Sequence, residues 1–172
     1  MSAAKGMMLS MTVTLGTVCG LLIAVGSNAT AGNDPSFRPA QRDYILACAG
    51  CHGIDGLSNS RLIPRLKDRI GYFVNFPEGR AYLARLPNVA FSTMSDQQLA
   101  AVLNYAVAEI GGNSTPAGMK PYQAAEVGKW RKLPLTASLS AYRQGIVETL
   151  ISRYRAPASL RGYGDDAYET DR

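Results

Sequence analysis

The chain has a single histidine, three cysteines and one tryptophan in 172 residues, and these shortages limit its chemistry. With no second histidine, no site can draw on two imidazoles. No long run of like charge occurs: the 18 basic and 13 acidic residues are spread along the chain and leave a net charge of +5. The clustered Lys and Arg of a nucleic-acid footprint are therefore missing, and no nucleic-acid partner is expected. Hydrophobic residues make up 47% and charged residues 18%, the balance of a soluble protein with one core rather than of a membrane bundle. The length suits one domain with an appendage.

The first 31 residues read as an export signal. Lys5 is the only charge before Asp34, an apolar stretch runs from Met7 to Val25, and Ala29-Thr30-Ala31 offers small side chains for cleavage after Ala31. This places the mature protein in the bacterial periplasm. The apolar stretch approaches membrane-spanning length, so an uncleaved N-terminal anchor is the alternative, and contact with a membrane is expected only in that case. Cys19 has bulky Val18 before it, a poor context for lipidation.

Removing residues 1–31 leaves two cysteines, Cys48 and Cys51, followed at once by His52. Cys-x-x-Cys-His is the attachment pattern of c-type haem. The short spacing matches the two vinyl groups to which the thiols add, and the next residue falls under the iron, where His52 supplies the proximal ligand. A structural zinc site fails by count, because it needs four ligands and no other Cys or His follows the signal. A thioredoxin-like pair would want a strand before the motif, whereas Pro39–Ala47 reads as a short helix and Gly53 follows His52. A plain disulfide would leave the only histidine beside it by coincidence. One covalent haem c, with its iron, is the expected cofactor.

The residues around the motif, from about Pro39 to Gly111, resemble a class I c-type cytochrome. Tyr44-Ile-Leu-Ala-Cys-Ala-Gly-Cys-His-Gly-Ile-Asp-Gly is similar to that family's haem-attachment region, including a Gly-x-x-Gly turn. Leu62-Ile-Pro-Arg-Leu66 resembles the segment in which a proline carbonyl accepts the proximal histidine's free N–H. That resemblance makes Pro64 the candidate for orienting the imidazole, with an ordinary turn proline as the alternative. Ser95 to Ile110 is the clearest helix. Ser95 and Gln98 form a capping-box pattern, Leu99, Val102, Leu103, Ala106, Val107 and Ile110 share one face, and Gly111-Gly112 stops it. In the family this helix packs crosswise on the N-terminal helix. The implied fold is all-α, a class I cytochrome c core over 32–112 with a C-terminal helical extension.

The distal side of the iron cannot be histidine. A thioether would stabilise reduced iron and raise the potential, and two methionines follow the motif, Met94 and Met119. Met94 is the preferred distal ligand, with Met119, Lys67 or an open position as alternatives. The family places its methionine some residues before the helix cap, where this chain has Leu86-Pro87-Asn88-Val89. Between Pro64 and Ser95 the aromatics Tyr72, Phe73, Phe76, Tyr82 and Phe91 are candidates to enclose the haem, and Arg80 and Arg85 to pair with its propionates.

Beyond Gly112 the resemblance ends. Asn113-Ser-Thr-Pro-Ala-Gly reads as a linker. Ala124, Val127 and Trp130 mark one helix face, and Leu139, Tyr142, Ile146, Leu150 and Tyr154 another, with Arg143 off that face. The tail from Gly162 reads as disordered. This extension, residues 113–172, either wraps the core, which is the favoured reading, or forms a docking arm. The expected work is one-electron transfer between periplasmic redox proteins, from a dehydrogenase to a downstream cytochrome or oxidase. The alternatives are a cytochrome subunit held within a dehydrogenase complex, and an open-site haem enzyme or sensor. No catalytic residue is assigned.

Overall fold

The structure, a computed structural model, describes residues 37–58 and 60–163. The expected signal segment and most of the tail lie outside the described residues. Among the described residues there is no strand, and no helix is long and apolar enough to cross a membrane. The architecture of these residues is all-α, as expected.

Among the described residues seven α-helices carry it: α1 (Phe37–Ala47), α2 (Ala49–His52), α3 (Pro77–Arg85), α4 (Pro87–Ala90), α5 (Asp96–Tyr105), α6 (Ala124–Arg131) and α7 (Leu139–Tyr154). Short 3-10 helices at Ile70–Asn75, Gly112–Ser114 and Ala158–Arg161 connect or end them. On α1, Ala40 and Tyr44 are four residues apart and form a buried stripe that packs on α5. The Tyr44 ring lies 5.6 Å from that of Tyr105, and its hydroxyl donates to the Gly53 carbonyl at 2.9 Å.

The helix expected over Ser95–Ile110 is present and starts as its sequence dictates. Ser95 Oγ accepts from the Gln98 N–H, and Gln98 Oε1 accepts from the Ser95 N–H, satisfying two donors that a helix start leaves unpaired. All six expected face residues are buried. The last stretch, Ala106–Ile110, widens into a π-helical turn, which periodicity does not foresee. The Thr115 hydroxyl donates to the Val107 carbonyl within this turn. Gly56 fits against its end: φ is 78°, a left-handed value that glycine tolerates, and a Cβ there would collide with the Ile110 side chain.

Residues after Gly112 share this core rather than forming a separate one. Tyr122, Val127, Leu135, Ile146, Val147, Leu150 and Leu160 belong to the same buried cluster as Tyr44 and Leu99. Asn104 on α5 pairs with the Tyr122 backbone in both directions, at 2.6 and 3.1 Å. Helix α6 packs on α3, α4 and α5, and α7 packs on the Ile70–Asn75 turn. The buried face of α7 differs from the expected one. It runs through Arg143, Ile146, Val147 and Leu150, while Leu139 and Tyr154 are exposed. Arg143 can be buried because its guanidinium finds carbonyls at Leu160 (2.9 Å), Gly162 (3.2 Å) and Arg161 (3.3 Å).

Candidate cofactor cavity

Helix α2 is one turn long. The Cys51 and His52 N–H groups both donate to the Cys48 carbonyl, at 3.2 and 3.0 Å, so the three motif residues sit on a single turn. Gly53, at φ 81°, ends that turn and lets the chain reverse. Both thiols are free. Cys48 is half-buried, and burial, with Cys51 adding to it, pushes its thiol above the ordinary range. Cys51 is exposed.

His52 Nδ1 lies 2.9 Å from the Pro64 carbonyl oxygen. The carbonyl can only accept, so Nδ1 carries the hydrogen and Nε2 is left with its lone pair. Burial lowers the imidazole's proton affinity, and the Pro64 bond works in the opposite direction. The contact expected between these two residues is therefore present in the structure.

Cys48, His52 and Pro64 line a cavity that is open at its mouth. Helix α5 lines it with the apolar Leu99, Val102 and Leu103, the π-helical turn adds Ala106, and α1 contributes Tyr44 and Ala47. Leu86, Asn88, Val89, Ser92 and Met94 also line it. Met94 and the 86–89 segment, which supplies Leu86, Asn88 and Val89, thus line the same cavity. Met119 packs against the core but does not line the cavity, and neither does Lys67. Among the described residues no group of three or more His, Cys, Asp and Glu could hold a metal ion.

Of the five aromatics expected around the cofactor, Phe73 and Tyr82 line the cavity. Phe76 instead stacks on Tyr154, Tyr72 packs at the core's edge and Phe91 is exposed. Arg80 and Arg85 do not line it either. Arg80 donates to the Lys120 carbonyl and to Glu126, both at 2.6 Å, with its guanidinium 4.1 Å from the centre of the Tyr122 ring. Arg85 donates to the Leu133 carbonyl at 2.6 Å. Both point from α3 toward the extension because α6 and its flanks supply acceptors there. The arginines that line the cavity are Arg65, Arg69 and Arg143. Arg65 Nε is buried with no hydrogen-bond partner, the kind of orphaned donor that an anionic ligand satisfies. Arg65 directly follows Pro64, a neighbourhood the sequence offered as a signal. Arg143 gave none, because a charged residue beside an amphipathic face reads as solvated.

No protein-family model, curated protein sequence or solved structure matches this chain.

Proposed function

We propose that this chain is a single-haem c-type cytochrome of the class I kind, exported to the periplasm, that carries one electron between redox partners. The observation that carries the reading is the joint placement of Cys48, His52 and Met94 on one cavity, with His52 Nδ1 held by the Pro64 carbonyl. The cavity suits a haem in its chemistry: its lining is mostly aliphatic and aromatic, and the buried Arg65 Nε offers a donor to a propionate.

When bound, haem supplies a one-electron iron couple. The chain's own residues do the rest. Cys48 and Cys51 would hold the macrocycle by thioether bonds. His52 would ligate iron through Nε2, with Pro64 fixing the ring's rotation and raising its basicity. Met94 would supply a second ligand to the iron, a soft sulfur that favours the reduced state. Leu99, Val102 and Leu103 line the cavity and would exclude water from a bound group, limiting reorganisation during electron transfer. Arg65, Arg69 and Arg143 would offset the propionate charge. No residue on this wall offers a second imidazole as acid–base group, so a carrier is favoured over a catalyst. Donor and acceptor would be other periplasmic redox proteins, a dehydrogenase upstream and a cytochrome or oxidase downstream.

The test is spectroscopic. The haem-loaded protein is expected to show a methionine-to-iron charge-transfer band that Met94→Leu abolishes, with slow carbon monoxide binding to the reduced wild type. An unchanged band in Met94→Leu excludes Met94. Rapid carbon monoxide binding by the wild type supports an open-site enzyme or sensor instead.

A further inference from the structure

Between the end of α4 and the cap of α5 runs the segment Ala90–Asp96, which contributes Ser92 and Met94 to the cavity wall. Phe91 and Thr93 are exposed. One guanidinium from the extension meets this segment at every second residue. Arg131, the last residue of α6, donates from Nε to the Ala90 carbonyl at 3.0 Å and from Nη1 to the Met94 carbonyl at 2.7 Å. Its Nη2 donates to the Ser92 carbonyl at 2.5 Å, with the Ser92 hydroxyl at 3.4 Å. Nη1 also reaches the Asp96 carboxylate at 3.2 Å, and the Arg131 side chain is 15% exposed. Three alternate carbonyls and a carboxylate thus share one planar fork, a geometry that an ammonium cannot reproduce.

The approach of α6 to this segment is tight. Gly128, one turn before Arg131, is buried, and a Cβ there would collide with the Asp96 carboxylate. Two residues of α6 therefore bear on the same short stretch.

We propose that Arg131 is a positioning residue for the site: it clamps residues 90–96 from the C-terminal extension and so fixes how Met94 is presented to the iron. This rests on the haem reading above. It gives the extension a role that neither plain wrapping nor partner docking supplies, since the covering helix sets the distal side of the cofactor.

Arg131→Ala, Arg131→Lys and Arg80→Ala are compared with wild type in the haem-loaded full chain. Arg80→Ala cuts another tie to the extension, at Lys120 and Glu126, without touching residues 90–96. Expected for Arg131→Ala are retained covalent haem, a weakened methionine-to-iron band and carbon monoxide binding faster by roughly tenfold or more, the scale of one lost charge-assisted hydrogen bond. Arg131→Lys should fall between, and Arg80→Ala should keep the wild-type band. An unaltered band and carbon monoxide rate in Arg131→Ala overturns the clamp. So does an equal change in Arg80→Ala, which would mark general loosening of the extension. Amide hydrogen exchange in the haem-free chain separates this inference from the reading beneath it. Exchange of residues 91–96 should speed roughly tenfold or more in Arg131→Ala. Protection unaltered by the substitution removes the clamp, whereas failure of the wild type to take up haem removes the functional reading.

Discussion

Leu150 lies on α7, wholly enclosed, in the same buried cluster as Tyr44 of α1 and Leu99 of α5. Replacing it with alanine tests whether the extension belongs to the fold of the region around Cys48, Cys51 and His52. A buried leucine cut to alanine in a close-packed setting costs about 3–5 kcal/mol, the transfer term plus the cavity left behind. Leu150 is flanked by Ile146 and Val147, both also buried, which leaves little freedom to collapse into the gap. Against a total stability of about 5–15 kcal/mol the loss is large, and it lowers Tm by roughly 10–20 °C for a domain of this size. Leu139→Ala on the same helix is the control, because Leu139 is 40% exposed and its loss should cost at most about 1 kcal/mol. The assay is urea denaturation followed by two probes, far-ultraviolet dichroism for all helices and Trp130 fluorescence for the extension. A single coincident transition, shifted strongly by Leu150→Ala and weakly by Leu139→Ala, is the expected result. Two separate transitions, or a Leu150→Ala midpoint matching that of Leu139→Ala, would refute the shared core.

Gly56→Ala should destabilise by about 2 kcal/mol or more, since it combines a left-handed φ with a collision at Ile110; a change below about 0.5 kcal/mol in a denaturation series would contradict this. Ser95→Ala removes half of a capping box and should cost about 1 kcal/mol, and a midpoint equal to wild type would mean that the cap contributes nothing. Burial pushes the Tyr82 phenol up to about 12, so the folded chain keeps a proton that an unfolded tyrosine releases near pH 10. Stability from this group is thus intact below about pH 10 and is lost as pH rises toward about 12. Tyr82→Phe should flatten that part of the alkaline loss, and an unaltered alkaline limb would show that another group causes it.

Much of the site was legible because it depends on local spacing. Cys48, Cys51 and His52 fall on one turn, and the Ser95 cap and α5 face follow from short-range periodicity. The Pro64 contact, twelve residues from His52, was readable only through resemblance to a family segment. The extension was harder. Its helices were visible, but the buried face of α7 was misjudged at Arg143, whose burial depends on carbonyls supplied by residues 160–162. Arg80 and Arg85 misled for the same reason: a guanidinium goes where acceptors are, and theirs lie at Lys120, Glu126 and Leu133. Arg131 offered no sign at all. Its partners on residues 90–96 are mostly backbone carbonyls, which a sequence does not distinguish.

The most direct measurement is the intact mass of the chain after expression in a bacterium with periplasmic haem-attachment machinery, taken under denaturing conditions. The account predicts the mass of the processed chain plus one covalently retained haem, which proteolysis locates on the peptide containing Cys48, Cys51 and His52. A chain at its bare polypeptide mass, with Cys48 and Cys51 as thiols or joined as a disulfide, would contradict it.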